Sequence, residues 1–166
     1  ILITLTQFTA GLSLTQENVS CNGLNDGSID LEVQGGPSPF TFSWSNSAST
    51  EDVLGLSPNV YEVVVTDSIG CTDSIQTTIT EPSIFELVDT TFSNYNGFNV
   101  SCNGYNDGSI DITITGGTPA YSFVWSTLDG SGLVATDEDQ FSLSAGTYTV
   151  VATDSGGCHI TQSYTL

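Results

Sequence analysis

The sequence contains no lysine, no arginine and no methionine, against 19 aspartates and glutamates. Its formal net charge is −19 at neutral pH. A chain without cations has no phosphate clamp, releases no counterions on nucleic acid and gains nothing from anionic lipid. Nucleic acid and membrane insertion are therefore excluded as partners. The missing lysine also rules out lysine–asparagine isopeptide cross-links. No internal Lys or Arg ion pair offsets the acidic self-repulsion, which leaves that task to salt, protons or divalent cations. No apolar run is long enough to span a membrane, and no secretory leader is visible. Helical periodicity of useful length is absent as well. The chain opens within a strand-like segment, residues 1–6, and we expect an internal piece of a longer protein.

What is present is a repeat. CNGLNDGSID at residues 21–30 returns as CNGYNDGSID at 102–111, and only Leu24 and Tyr105 differ. Cys21 to Cys102 and Trp44 to Trp125 are both 81 residues apart. A fixed period marks a tandem array of one structural unit. Two domains follow, 1–82 and 83–166, with Glu81-Pro82 as the whole linker. Domains of about 80 residues bury only about 60–65% of their unfolded surface, so each gains from a staple.

Within each unit the apolar residues alternate with polar ones, the period of a half-buried strand. Ile29, Leu31 and Val33 alternate with Asp30, Glu32 and Gln34. Phe40, Phe42 and Trp44 form an aromatic strand, and Val53-Leu54-Gly55-Leu56 a short edge. Tyr61, Val63 and Val65, then Ile75, Thr77 and Ile79, complete the unit after an opening strand within 1–15. The second unit opens at 84–91 and carries six extra residues around 128–139. Many short strands separated by regular turns predict an all-β protein, two tandem immunoglobulin-like antiparallel β-sandwiches. Tyr61 and Tyr148 sit where such sandwiches keep a tyrosine corner, bonding back to the preceding turn. Asn59 stands where the second unit has Gly146, a tolerable exchange if the position needs positive φ.

Cys21, Cys71, Cys102 and Cys158 form two matched pairs. Pairs this far apart do not suit zinc, whereas an even cysteine count in small loop-rich units suits disulfides in an oxidising compartment. One reversal per strand puts Cys21 and Cys71 at the same pole of unit one, and Cys102 and Cys158 likewise in unit two. Bonds within each repeat are then in reach. Closing a loop of about 50 residues is worth roughly 4 kcal/mol in the chain-entropy model.

The combination V-S-C-N-G-x-N-D-G-S-I, G-G-x-P-x-[FY]-x-F-x-W-S and L-x-x-x-x-Y-x-V-x-x-T-D-S-x-G-C resembles the SprB repeat of long cell-surface adhesins of gliding bacteria. The resemblance covers both units nearly end to end. It implies extracellular display, secretion by a dedicated route, adhesion or filament formation, and no catalytic residues. Implied partners are neighbouring repeats, other copies in a filament, and a polysaccharide or substratum held by another region. It also implies O-glycosylation in Asp-Ser/Thr triplets, which Ser68, Ser74 and Thr90 fit.

No cofactor is required on this reading, and calcium is the one candidate. Asn22, Asn25, Asp26 and Asp67 are expected at one pole, with Asn103, Asn106, Asp107 and Asp154 equivalent, and oxygen ligands suit Ca²⁺. The same Asn-Asp-Gly and Thr-Asp-Ser stretches also make ordinary turns. Trp44 and Trp125 continue the inward alternation, so they are core residues rather than sugar platforms. His159, the single histidine, stands where the first repeat has Thr72, so no catalytic base is shared. The expected role is a non-catalytic stalk or spacer. Its rival is a calcium-dependent glycan- or protein-binding module using the enlarged loop or the acidic pole.

Overall fold

Alternation along the chain builds the strands as expected. Ile29 and Leu31 are buried while Asp30 and Glu32 are exposed. Tyr61, Val63 and Val65 point inward from the later strand. The computed structural model describes residues 11–166. The described chain is all-β and divides between Glu81 and Pro82 into two compact units. The opening segment 1–6 lies outside the described residues.

Unit one contains β1 (Gly11–Glu17), β2 (Gly27–Gln34), β3 (Thr41–Trp44), β4 (Val53–Leu56), β5 (Asn59–Thr66) and β6 (Thr72–Ile79). One sheet has the order β1-β2-β4 and the other β3-β5-β6, all antiparallel neighbours. Unit two repeats this with β7 (Glu86–Phe92), β8 (Gly108–Thr115), β9 (Ser122–Thr127), β10 (Gln140–Leu143), β11 (Thr147–Thr153) and β12 (His159–Thr165). Its sheets are β7-β8-β10 and β9-β11-β12. The two faces of unit one enclose Ile29, Leu31, Trp44, Val53, Leu56, Tyr61, Val63, Val65 and Ile79. Unit two encloses Ile110, Ile112, Trp125, Leu143, Tyr148 and Val150. Both tryptophans are thus core, 3% exposed.

The register defines two poles in each unit. At the proximal pole β1 begins opposite the end of β2 (Gly11↔Gln34), and β5 ends opposite the start of β6 (Thr66↔Thr72). At the distal pole β1 ends (Glu17↔Ser28), β4 ends (Leu56↔Gly27) and β6 ends (Asn59↔Ile79). Unit two is the same, with Glu86↔Thr115 and Thr153↔His159 proximal, and Leu143↔Gly108 and Thr147↔Thr165 distal.

This corrects the expected strand directions. Residues 45–52 cross from one sheet to the other without forming a strand, so β4 runs the same way as β3. Counting a reversal there inverts everything that follows. Cys21, after β1, lies at the distal pole, whereas Cys71, after β5, lies at the proximal one. The eight residues of β5 separate them by about 25 Å, against the 4.4–6.8 Å that a disulfide tolerates between Cα atoms. Bonds within each repeat are therefore out of reach.

The crossing connection is held by the core tryptophan. Trp44 Nε1 donates to the Thr50 carbonyl at 2.9 Å, and Trp125 Nε1 to that of Asp137 at 2.9 Å. Past the short β2–β4 pairing, the Leu31 amide finds the Asp52 carboxylate (3.1 Å) instead of a strand. Ile112 and Asp139 repeat this at 3.1 Å. The six extra residues of unit two fall in this same connection.

Candidate functional site

The Asn-Asp-Gly stretch turns the chain between the first two strands of each unit at the distal pole. Asp26 accepts the Ser20 amide on Oδ1 at 3.0 Å and the Ser20 hydroxyl on Oδ2. Asp107 does the same with Ser101. The hydroxyl of Ser20 or Ser101, and then its amide, holds each carboxyl below the ordinary value of 3.8. The following Gly27 and Gly108 do not serve a positive φ. A Cβ on Gly108 would meet the Leu143 carbonyl oxygen and the Leu166 side chain at 2.9 Å, and one on Gly27 would meet Ile79 at 2.8 Å. Glycine here lets the first and last strands of the unit close together over the pole.

Asp67 and Asp154 belong to the opposite, proximal pole. Both are nearly buried, at 6% and 5% exposure. Asp67 Oδ1 accepts the amides of Ile69 (3.0 Å) and Cys71 (2.9 Å), which shapes the last hairpin. Asp154 accepts from Cys158 (2.8 Å) on one oxygen and from Thr118 (2.7 Å) on the other. The expected ligand set is therefore split. Asn22, Asn25 and Asp26 stand at one end and Asp67 at the other, and Asn103, Asn106 and Asp107 are likewise apart from Asp154. The reason is again the missing reversal. Among the described residues no three His, Cys, Asp or Glu side chains gather as a metal site would require. The four aspartates are engaged in turn chemistry, each accepting backbone amides.

The tyrosine corner forms in both units. Tyr61 Oη donates to the Ser57 carbonyl at 2.9 Å. Tyr148 donates toward the Ser144 carbonyl (2.8 Å) and also lies 3.0 Å from the Ser131 carbonyl oxygen, within the enlarged loop. Gly146 does not adopt a positive φ. It is required by proximity: its Cβ would lie 2.7 Å from the Gly130 Cα. Asn59 has no such loop against it.

The enlarged loop is closed by a residue that sequence reading missed. Gln140 is 1% exposed, where the first unit has the buried Val53. Its amide bonds to both backbone groups of Val134 (2.9 and 2.8 Å) and to the Asp137 carbonyl (3.0 Å). A polar side chain at an inward strand position was the available signal. Asp52 and Asp139 were missed too. Glu138, beside Asp139 and Asp111, has its carboxyl pushed up, first by burial and then by those two charges. A small turn at Asn96-Gly97, both at positive φ, was overlooked although Asn-Gly is a strong hairpin signal.

Cys21 and Cys158 are disulfide-bonded, whereas Cys102 is an exposed thiol. Cys102 and Cys158 are therefore not partners. Ser68 donates its hydroxyl to the Pro37 carbonyl at 3.1 Å in the last hairpin. Thr90 is half-buried with its hydroxyl 3.1 Å from that of Tyr164, and Ser74 is exposed on β6. His159 is exposed at the start of β12.

The model of the SprB repeat family matches residues 13–49 and 98–130. The first match runs from β1 past β3, and the second from the loop before β8 past β9. No curated protein matches the chain. Among the described residues no helix is long and apolar enough to cross a membrane.

Proposed function

We propose that the segments matched by the SprB repeat model, 13–49 and 98–130, mark two repeats of that family of cell-surface adhesin repeats, and that these repeats are a non-catalytic stalk that spaces an adhesive or filament-forming region from the cell. The observation that carries this reading is the placement of chain ends within each unit. The first strand begins at one pole and the last strand ends at the other. Entry and exit at opposite poles of each unit suit a spacer, and proline removes backbone freedom in the Glu81-Pro82 linker. The geometry that both units share, from tyrosine corner to tryptophan anchor, supports scaffold work. The acidic faces keep neighbouring stalks apart by like charge. Partners on this reading are the adjoining repeats and other copies in a filament, on the outer side of the cell. Of the three candidate glycan acceptors, Ser68 and Ser74 are exposed and Thr90 is half-buried, and the bond of the Ser68 hydroxyl to the Pro37 carbonyl favours Ser74.

One observation favours a rival. Leu128 is wholly exposed on the enlarged loop, beside Ser126, Thr127, Asp129, Thr147 and Thr149. A binding module would grip a glycan or protein there. Glycan-array binding of the whole chain, with Leu128→Ser beside it, separates the two. A spacer binds no glycan class. Saturable binding that Leu128→Ser abolishes would replace the stalk reading with the binding one.

A further inference from the structure

The distal pole is clasped in unit one and open in unit two. In unit one the loop after β1 grips the two residues that follow β6. Val19 N donates to the Thr80 carbonyl at 3.0 Å, Thr80 N to Asn18 Oδ1 at 2.9 Å, and Gly23 N to Glu81 Oε2 at 2.7 Å. The apolar residues beneath this clasp are sealed, with Val19 3% exposed and Ile79 1%.

Unit two keeps the loop side of the clasp. Asn99, Val100 and Gly104 take the places of Asn18, Val19 and Gly23, each 81 residues on. Leu166 takes the place of Ile79: Ile79 pairs with Asn59, and Leu166 exchanges two backbone bonds with Gly146 (3.1 and 2.9 Å). The loop itself is unchanged. Asp107 accepts the Ser101 amide as Asp26 accepts that of Ser20, and Gly23 and Gly104 share a positive φ, 80° and 85°. Asn99 Nδ2 donates to the Ser93 carbonyl at 3.1 Å, which leaves Oδ1 to accept. Among the described residues the Val100 amide, the Gly104 amide and Asn99 Oδ1 have no partner. Val100 and Leu166 are only half-buried, and with Phe98, Asn99, Asn103 and Ala145 they line a groove of about 510 Å³.

A ligand that completes this pole offers a carbonyl to Val100, an amide to Asn99 and a further acceptor to Gly104. One extended peptide residue supplies the first two, and the side chain of the next supplies the third. A lysine or arginine there has no acceptor, whereas a carboxylate makes the stronger, charge-assisted bond to an amide. We propose that this groove binds an extended peptide segment whose second residue is glutamate, held as Thr80-Glu81 is held in unit one. Its apolar floor is Val100 and Leu166, which the bound segment covers. The inference uses the pole of a single repeat and holds whether or not the array is a stalk.

In unit one the gripped segment follows the last strand directly, so the probe is the whole chain with Thr-Glu-Gly appended after Leu166. Amide hydrogen exchange, read residue by residue by NMR, should slow about five- to tenfold at Val100 and Gly104 against the unextended chain, the scale of one net hydrogen bond. Appending Thr-Ala-Gly should slow Val100 alone. Val19 and Gly23 are the internal standard, protected in every sample. Val100 and Gly104 exchanging at the unextended rate with Thr-Glu-Gly, beside protected Val19 and Gly23, overturns the proposal. So does Thr-Ala-Gly protecting Gly104 as fully as Thr-Glu-Gly does. Exchange rates need no glycan and no adhesive role, so this test and that of the stalk fail separately.

Discussion

The four aspartates of the repeated turns show what single residues do here. Asp67 and Asp154 are nearly buried, and backbone amides donate to their carboxylates. Asp26 and Asp107 are exposed and bound to serine. Because their folded carboxyls titrate below 3.8, the stability they add is present above the ordinary carboxyl range and is lost as pH falls through the lowered value. Asp26→Ala with Asp107→Ala should therefore lower Tm at neutral pH yet lose less Tm than the parent on acidification below about pH 4. Parallel acid limbs in a pH series of melts would contradict this. The tyrosines differ by what they reach. Tyr61→Phe removes the bond to the Ser57 carbonyl, and we expect a cost of about 1 kcal/mol. Tyr148 is fully buried and also reaches Ser131 of the enlarged loop. Tyr148→Phe should cost about 1–3 kcal/mol, the larger of the two in denaturant melts, because it strips a partner from two segments.

At the scale of elements, what the sequence displays is periodicity, and what it hides is direction. The strands around Ile29, Trp44, Tyr61 and Ile75 were all legible, because each is half-buried and alternates. So was the tyrosine corner. The poles were not. Residues 45–52 are polar and irregular, and nothing in their composition says that they cross between the sheets without reversing the chain. One reversal counted where there is none moved Asp67 and Cys71 to the wrong end, and with it went both the ligand cluster and the intra-repeat bond. Gly146 was misread for a related reason: its neighbour Gly130 belongs to a loop the first unit lacks. The enlarged loop looked like a free extension, and it is instead fastened by Gln140. Gln140→Val copies the first unit's residue at that place but strips the Val134 amide of its partner and takes one bond each from the Val134 and Asp137 carbonyls. Chemical denaturation should show a loss of about 1–3 kcal/mol, with unit one unaffected.

For the whole molecule, composition makes two statements that measurement can check. Trypsin cuts after lysine and arginine, and the chain has neither. It should survive trypsin both native and unfolded, and any fragment ladder on a gel would refute that. Melts in EDTA and in millimolar calcium chloride, at equal ionic strength, should coincide, because amides already satisfy the turn carboxylates. A large rise in Tm with calcium would return the ion to the poles. The polarity of each unit has a mechanical consequence. Under tension along the chain, force reaches β1 at its proximal end and β6 at its distal end, while the two run the same way. Each is then dragged lengthwise along its antiparallel neighbour. The ladder from Gly11↔Gln34 to Glu17↔Ser28 is loaded in shear, with its hydrogen bonds sharing the pull, instead of being peeled open one bond at a time. Rupture must break many bonds together, which raises the unfolding barrier that governs forced extension.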